Sequence, residues 1–310
     1  MLLRIHTTQQ FDTVRGMKNS LALFALVGAS IMWGLGWIPL KALNQLGIEG
    51  IPLTFIAYGA ITVVLLPLFI AQRARWRGEG RWLLLIALLG GYANLAFTTA
   101  MVYGEVVRVM VLFYLLPVWG VLGGYIFLKE KIDLARGVAV AIALIGALLV
   151  LGGFNTFNGS LSWSDGLAIT ASLTFAANNL VFRARQNTPV QSKVAAMLIG
   201  CSVIAGILVV IQIQPWPTVS SDSLAYVALF GVFILVATTG TQYGVTHMEA
   251  GRASIIIILE LITAIISAIL IAGETMTTME WTGGLLILSA AVIEARRNEP
   301  VTNAAPVSAA

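Results

Sequence analysis

The sequence predicts an all-α integral membrane protein in which ten transmembrane helices form an inverted 5+5 repeat around a central cavity. Three observations lead to this fold class. The chain is 58% hydrophobic and only 10% charged, it contains ten apolar runs, and a stretch of its first half recurs in its second half. Soluble domains carry about 25% charged residues. A chain with so little polar surface must use lipid as its solvent.

The ten apolar runs each have about the 20 residues that a helix needs to cross the hydrocarbon core of a bilayer. Their approximate spans are 20–43, 52–71, 82–102, 107–128, 134–153, 164–185, 193–213, 224–245, 253–273 and 279–296. The polar ends, residues 1–19 and 298–310, have the composition of disordered termini.

Lys and Arg set the predicted orientation, because cytoplasmic loops carry an excess of both residues. With the N-terminus inside and the spans alternating, 16 of the 18 basic residues fall on the cytoplasmic side. Only Lys41 and Arg108 fall on the opposite side. Miscounting one span would destroy this asymmetry, so the count of ten is supported and both termini are predicted to be cytoplasmic.

The internal repeat relates residues 105–130 to residues 249–274, which lie 144 positions later. Identical residues fall at 105 and 249, 108 and 252, 115 and 259, and 130 and 274. The shift maps the first five spans onto the last five. Because five is an odd number, the chain finishes the first repeat on the other side of the membrane, and the second repeat enters from that side. The predicted repeats are 20–153 and 164–296. Inverted repeats are typical of secondary transporters, whose substrate site lies near the middle of the bilayer.

Glu260 is the sharpest polar signal in the predicted spans. It lies eight residues beyond Arg252, which places it about 12 Å deep at 1.5 Å per residue. A carboxyl group at that depth is costly, so it must face the bundle interior and find a partner or hold a proton. Contact with a substrate or a proton is the favoured interpretation. A structural glutamate that locks two helices together is the alternative.

Further side chains on the predicted spans are candidates for lining the same cavity. They are Trp33, Trp37, Tyr92, Asn94, Thr98, Tyr114, Trp119, Asn178, Asn179, Thr238, Gln242 and Tyr243. The 144-residue shift places Asn94 on Thr238 and Thr98 on Gln242, as expected for opposite walls of one cavity. Hydrogen bonds between helices are the alternative for the polar residues. For the aromatic residues, packing is the favoured alternative.

Asn178 and Asn179 are adjacent amides, so their side chains point about 100° apart on a helix. We expect one of them to face a cavity and the other a neighbouring helix. Pro117 predicts a kink in the fourth span, because proline removes a helical hydrogen bond. Gly120 and Gly124 permit a close helix approach in that span. These three residues are a candidate bending point for gating, with static packing as the alternative.

No phosphate-binding loop, nucleophile elbow, H-E-x-x-H sequence or cluster of metal ligands is found in the chain. The sequence therefore predicts no catalytic residue, no metal site and no cofactor, and favours a protein that is not an enzyme.

The chain resembles the drug/metabolite transporter superfamily, whose members consist of two EamA-type repeats. The residues that carry the resemblance are M-W-G-L-G-W-I-P-L-K-A-L at 32–43, the run from Tyr114 to Glu130 and the run from Leu259 to Glu274. Within the superfamily the chain is most similar to bacterial exporters of aromatic amino acids. The resemblance implies ten helices, both termini inside, a central cavity, the bacterial inner membrane and export of small metabolites.

We therefore expect a multi-pass inner-membrane transporter that exports amino acids, aromatic and other neutral ones, by alternating access. Its expected partners are the substrate and the lipid bilayer, without nucleic acid, and it is expected to function as a monomer. The closest alternative is an exporter of drugs or lipophilic cations, with Glu260 as the counter-charge. A membrane receptor without transport and an intramembrane enzyme are further alternatives.

Overall fold

The structure is a computed structural model that describes residues 20–48, 50–128, 134–150, 162–185, 187–211, 216, 221–247 and 250–295. Every regular element in these ranges is helical, which confirms the predicted all-α class. The termini predicted to be disordered, residues 1–19 and 298–310, lie outside the described residues.

Helices follow one another with short connections along both halves of the chain. The first half contains α1 at 20–35, α2 Trp37–Gln45, α3 Gly50–Ala71, α4 Arg73–Trp76, α5 Gly80–Tyr103, α6 Val106–Phe113, α7 Leu116–Leu128 and α8 Leu134–Val150. The second half contains α9 Trp163–Ala184, α10 Val190–Val210, α11 Ser221–His247, α12 Ala250–Ser267, a π-helical segment Ala268–Ala272 and α13 Thr278–Ala295.

Six helical segments of the described residues are long and apolar enough to cross a membrane. They are Ser20–Gln45, Gly50–Ala71, Gly80–Tyr103, Val106–Phe127, Val190–Val210 and Ser223–Thr241. Shorter apolar helices cover Gly137–Val150 and Leu259–Ala272. Helical residues occur in all ten predicted runs, while the number of crossings and their inverted order stay predictions.

The surface of the bundle is apolar, as expected for a protein surrounded by lipid. Phe24, Phe127 and Leu270 expose 73%, 75% and 78% of their surface. Water would penalise such exposure, whereas acyl chains are as apolar as these side chains. The helices therefore gain little from hiding apolar groups, and contact between small residues must hold them together.

Glycine brings helices from the two halves into backbone contact. A Cβ atom added at Gly91 of α5 would lie 2.6 Å from the backbone of Gly200 in α10, and one added at Gly200 would meet the backbone of Ala87. A Cβ at Gly146 of α8 would lie 2.6 Å from the carbonyl oxygen of Gly283 in α13. Only residues without side chains permit such an approach. These two contacts, called the glycine seams below, join the halves.

The Glu274 carboxylate ties the second half to the start of α6. Its oxygens accept hydrogen bonds from the backbone N–H groups of Val106 at 2.9 Å and Val107 at 3.0 Å. The first N–H groups of a helix have no partner within the helix, and a negative charge is favourable beside them. Lys41 lies 3.6 Å from the same carboxylate. Glu274 therefore caps a helix of the first half and pairs with a cation of the first half.

A second salt bridge, between Arg108 and Asp165, lies beside the Glu274 contact. The Arg108 Nε and a terminal guanidinium nitrogen each donate to a different Asp165 oxygen at 2.8 Å, so the pair is bidentate. Asp165 also accepts from the Ser162 backbone N–H at 2.9 Å and closes a capping box at the start of α9. Both basic residues predicted to face away from the cytoplasm therefore contact acids of the second half.

Replacement of Glu274 by Gln is expected to destabilise the protein by about 1–2 kcal/mol. The amide has one acceptor oxygen for two N–H donors, and it loses the attraction to Lys41. Thermal unfolding of the purified protein in detergent micelles measures the effect as a fall in Tm of a few degrees. Glu280→Gln is the control, because the bonds that Glu280 accepts within the described part of the chain come from Thr277 in the same exposed turn. An equal shift in both variants would contradict the cap.

Candidate functional site

The fourth predicted span is broken near its middle. α6 ends at Phe113 and α7 begins at Leu116, about 12 Å from the start of α6 at 1.5 Å per residue. Pro117 was expected to kink this span, and the interruption falls at residues 114–115, just before it. Pro117 therefore lies in the first turn of α7, where the missing N–H group of proline costs least. The Phe113 carbonyl accepts a hydrogen bond from the Ser172 hydroxyl of α9 at 2.8 Å.

Tyr114 links this break to α12 of the second half. Its hydroxyl donates to the Ile257 carbonyl oxygen at 3.0 Å. The Tyr114 side chain also contacts the carboxyl group of Glu260, one turn farther along α12. The non-helical residues of the first half thus lie against the middle of a helix of the second half.

Glu260 lies about 15 Å from the start of α12, taking 1.5 Å for each of the residues from Ala250. A Cβ atom added at Gly34 of α1 would lie 2.6 Å from the Glu260 carbonyl oxygen and 2.7 Å from the Thr263 Cβ. Gly34 therefore allows the backbones of α1 and α12 to touch beside this carboxyl group. Glu260 is half-buried, its side chain contacts Tyr114, and its backbone lies against α1 at Gly34.

Two tryptophans of the first span donate hydrogen bonds to hydroxyl groups of the second half. The Trp33 indole N–H donates to Thr241 of α11 at 3.2 Å, and the Trp37 indole N–H donates to Ser267 of α12 at 2.9 Å. Trp37 is 4% exposed, which favours packing, the alternative considered for it. Trp33 is half-buried and lies next to Gly34. We call Trp33, Tyr114, Thr241 and Glu260 the central cluster. Thr241 is absent from the predicted site residues.

Asn94 and Thr98 are part of a hydrogen-bonded contact between α3 and α5. The Tyr58 hydroxyl of α3 donates to the side-chain oxygen Oδ1 of Asn94 at 3.2 Å. The side-chain NH2 group of Asn94 donates to the backbone carbonyl oxygen of Gly90 at 2.7 Å. Thr98 is 4% exposed and its side chain contacts Tyr58. This arrangement corresponds to the alternative of hydrogen bonds between helices. Tyr58, the partner of both residues, is a further polar residue that the sequence did not single out.

The α9 candidates divide between a helix contact and a more open position. Asn178 is 1% exposed, lies against Gly90 and donates its amide to the Met197 sulfur at 3.8 Å. Asn179 is half-buried. Tyr92 shares a hydrogen bond with Thr170 of α9 at 3.0 Å between the two hydroxyl oxygens.

The remaining candidates lie on α7 and α11. Trp119 is half-buried, and its indole nitrogen is enclosed without a hydrogen-bond partner among the described residues. Thr238 and Tyr243 are half-buried on α11. The side chain of Gln242 lies outside what the structure describes.

The close helix approach predicted at Gly120 is wrong for that residue. A Cβ atom added at Gly120 would meet nothing within 4 Å, whereas one added at Gly123 would collide with Leu180 of α9. The two glycines are three residues apart and share a helix face. α7 and α9 therefore touch at Gly123, and not at Gly120. Gly124, the other glycine of the predicted pair, is buried.

A lipid-facing cleft of about 400 Å³ lies between α2 and the first half of α11. Its lining includes Pro39, Leu43, Leu46, Tyr226, Phe230 and Phe233. No residue of the central cluster lines it, so this cleft is separate from the candidate site.

The geometry describes a multi-pass membrane protein in which Tyr114 contacts Glu260 and Trp33 binds Thr241 across the two halves, with Gly34, next to Trp33, against the backbone of Glu260. Comparison with protein families gives two matches to the EamA-like transporter family, at residues 20–152 and 162–294. The chain belongs to this family, and it carries two EamA repeats. It is therefore a membrane transporter of the drug/metabolite transporter type, as the resemblance implied.

Solved structures support the same fold, and 28 of their chains match significantly. One, titled only "Crystal structure of protein", has a TM-score of 0.58 and 18% sequence identity, and the match covers 88% of this chain and 97% of that one. A search of curated proteins gives no significant match.

Gly34→Ala is expected to lower the stability of the protein by about 1–3 kcal/mol, because the new methyl group collides with the backbone of α12 at Glu260. Gly28→Ala in the same helix is the matched control, since a Cβ atom there meets nothing within 4 Å. Thermal unfolding of both variants in detergent tests the contact. Gly28→Ala should leave Tm unchanged or raise it slightly, and a similar fall in both variants would contradict the α1–α12 contact.

Proposed function

We propose that this transporter exports amino acids, aromatic and other neutral ones, by alternating access. The observation that carries the proposal is the central cluster, where Glu260 lies at mid-helix depth against Tyr114 of the broken span. Substrate sites of secondary transporters lie near the bilayer midplane between repeats and are formed by interrupted helices. The position of the cluster, with residues from both halves and beside a broken span, supports the proposal.

The chemistry of a zwitterionic amino acid suits the groups gathered here. The Glu260 carboxylate is a partner for the α-ammonium group. α7 begins inside the span at Leu116, and the positive end of an interrupted helix favours a substrate carboxylate. Trp33 and Tyr114 offer an aromatic wall. Trp119 adds an enclosed indole N–H donor that has no partner among the described residues.

The proposed topology has ten helices in an inverted 5+5 arrangement, with both termini in the cytoplasm of a bacterium and the protein acting as a monomer in the inner membrane. Two EamA matches, helices in all ten predicted runs and the Lys and Arg distribution support it. The resemblance to bacterial exporters of aromatic amino acids supports the substrate class.

A second candidate function is the export of lipophilic cations. It is favoured by the same pairing of a carboxyl group with aromatic side chains, because a quaternary ammonium group is attracted to aromatic faces and to Glu260. A lipophilic cation has no carboxylate and needs no partner for one. The two hypotheses therefore differ in whether transport requires a carboxylate on the substrate.

Counterflow into proteoliposomes tests the two candidates directly. Vesicles preloaded with unlabelled phenylalanine, leucine, lysine, glutamate or a quaternary ammonium dye are given the labelled compound outside. Accumulation of the neutral amino acids, and weak uptake of phenylethylamine, which lacks the carboxylate, supports the proposal. Accumulation of the dye and of phenylethylamine without phenylalanine would instead establish the cation exporter.

Glu260→Gln is expected to reduce phenylalanine counterflow about tenfold or more, because the neutral amide cannot form an ion pair with the ammonium group. Glu280→Gln, at the start of α13, is the control and should transport at the wild-type rate. Both variants should insert and elute from gel filtration like the wild-type protein. Wild-type counterflow in Glu260→Gln would remove Glu260 from the substrate site and leave it a structural role.

A further inference from the structure

Ser172 bonds differently from the neighbouring hydroxyl residues of α9. The Thr170 hydroxyl donates to Gly166 at 2.8 Å and the Thr174 hydroxyl donates to Thr170 at 2.7 Å, each to a carbonyl one turn earlier in the same helix. The Ser172 hydroxyl leaves its helix and donates to the Phe113 carbonyl oxygen at 2.8 Å. Ser172 is fully buried. Its bond to another helix is therefore specific to this position.

The carbonyl that Ser172 binds is the one that Pro117 leaves open. In a continuous helix the N–H group of residue 117 would donate to the carbonyl of residue 113. Proline has no N–H group, so this bond does not exist here. Water cannot replace it in the hydrocarbon core, where backbone groups must be satisfied within the protein. Ser172 supplies the missing donor from the second half of the chain.

The peptide group between Phe113 and Tyr114 adjoins the central cluster. Phe113 is followed by Tyr114, whose hydroxyl donates to Ile257 of α12 and whose side chain contacts the Glu260 carboxyl group. The Phe113 ring is held as well, with its centroid 4.5 Å from that of Phe97 and 5.9 Å from that of Phe175. The break is thus fixed on its α9 side through Phe113 and on its α12 side through Tyr114.

We propose that Ser172 is a positioning residue of the transport site. By holding the Phe113 carbonyl, it fixes the peptide that orients Tyr114 toward Glu260. Ser172 itself contacts no substrate and acts through the broken helix. The inference rests on the proposed function, because it takes the central cluster as the substrate site.

A double-mutant cycle with Pro117 tests the bond without any substrate. Ser172→Ala leaves the Phe113 carbonyl without a donor and should lower Tm by about 3–6 °C. Pro117→Ala restores an N–H group at residue 117, so Ser172→Ala in that background should lower Tm by less than about 1 °C. Thr174→Val is the matched control and should lower Tm equally with either residue at 117. Equal losses for Ser172→Ala in both backgrounds would overturn the proposal.

Counterflow kinetics with phenylalanine test the positioning role. Ser172→Ala should raise KM about tenfold with a change in maximal rate of less than about twofold, because Tyr114 is no longer held. In the Pro117→Ala background the same substitution should leave KM unchanged. A fall in Tm with an unchanged KM would mean that Ser172 is merely structural, which overturns the proposal. Wild-type protein that transports no amino acid would instead refute the proposed function, while the unfolding cycle would still report on the bond.

Discussion

A bilayer contains no water at its centre, so each backbone group there must find its partner inside the protein. The fourth span has no helical hydrogen-bond donor for its Phe113 carbonyl oxygen, because Pro117 has no N–H group. A serine from the other half of the chain supplies the bond. This hydrogen bond from Ser172 stabilises the interruption of the span. The interruption places Tyr114 against Glu260. The candidate site depends on one backbone carbonyl being satisfied by a different helix.

The two halves meet through a few short-range features. Gly34 removes the side chain that would keep α1 away from α12. The indole groups of Trp33 and Trp37 find hydroxyl partners across the interface, because a buried N–H group needs an acceptor. Large apolar side chains lie both in the interior, such as Leu26 and Met101, and on the outer surface, such as Phe24 and Leu270. Glycines and paired polar groups therefore add close and directional contacts to an apolar core.

The all-α class and the repeated family architecture could be inferred from the sequence, because hydropathy and repetition are local signals. The role of Glu260 stays a prediction. The roles of Asn94 and Thr98 could not be resolved, since a polar residue that lines a cavity and one that bonds to another helix look alike in sequence. Their partner Tyr58 lies on another helix. Ser172 was missed for a related reason: nothing local distinguishes a hydroxyl that bonds to its own helix from one that bonds elsewhere.

The glycine seams have a mechanical consequence. At Gly200 the backbone of α10 rests directly on that of α5, without intervening side chains that could change rotamer to make room. Two such surfaces resist sliding along each other, because a shift would drive one backbone into the other. The seam between Gly146 and Gly283 repeats this geometry in a second helix pair. We therefore expect each of these helix pairs to move as a rigid unit, so that a change in the shape of the bundle falls on other contacts between the halves.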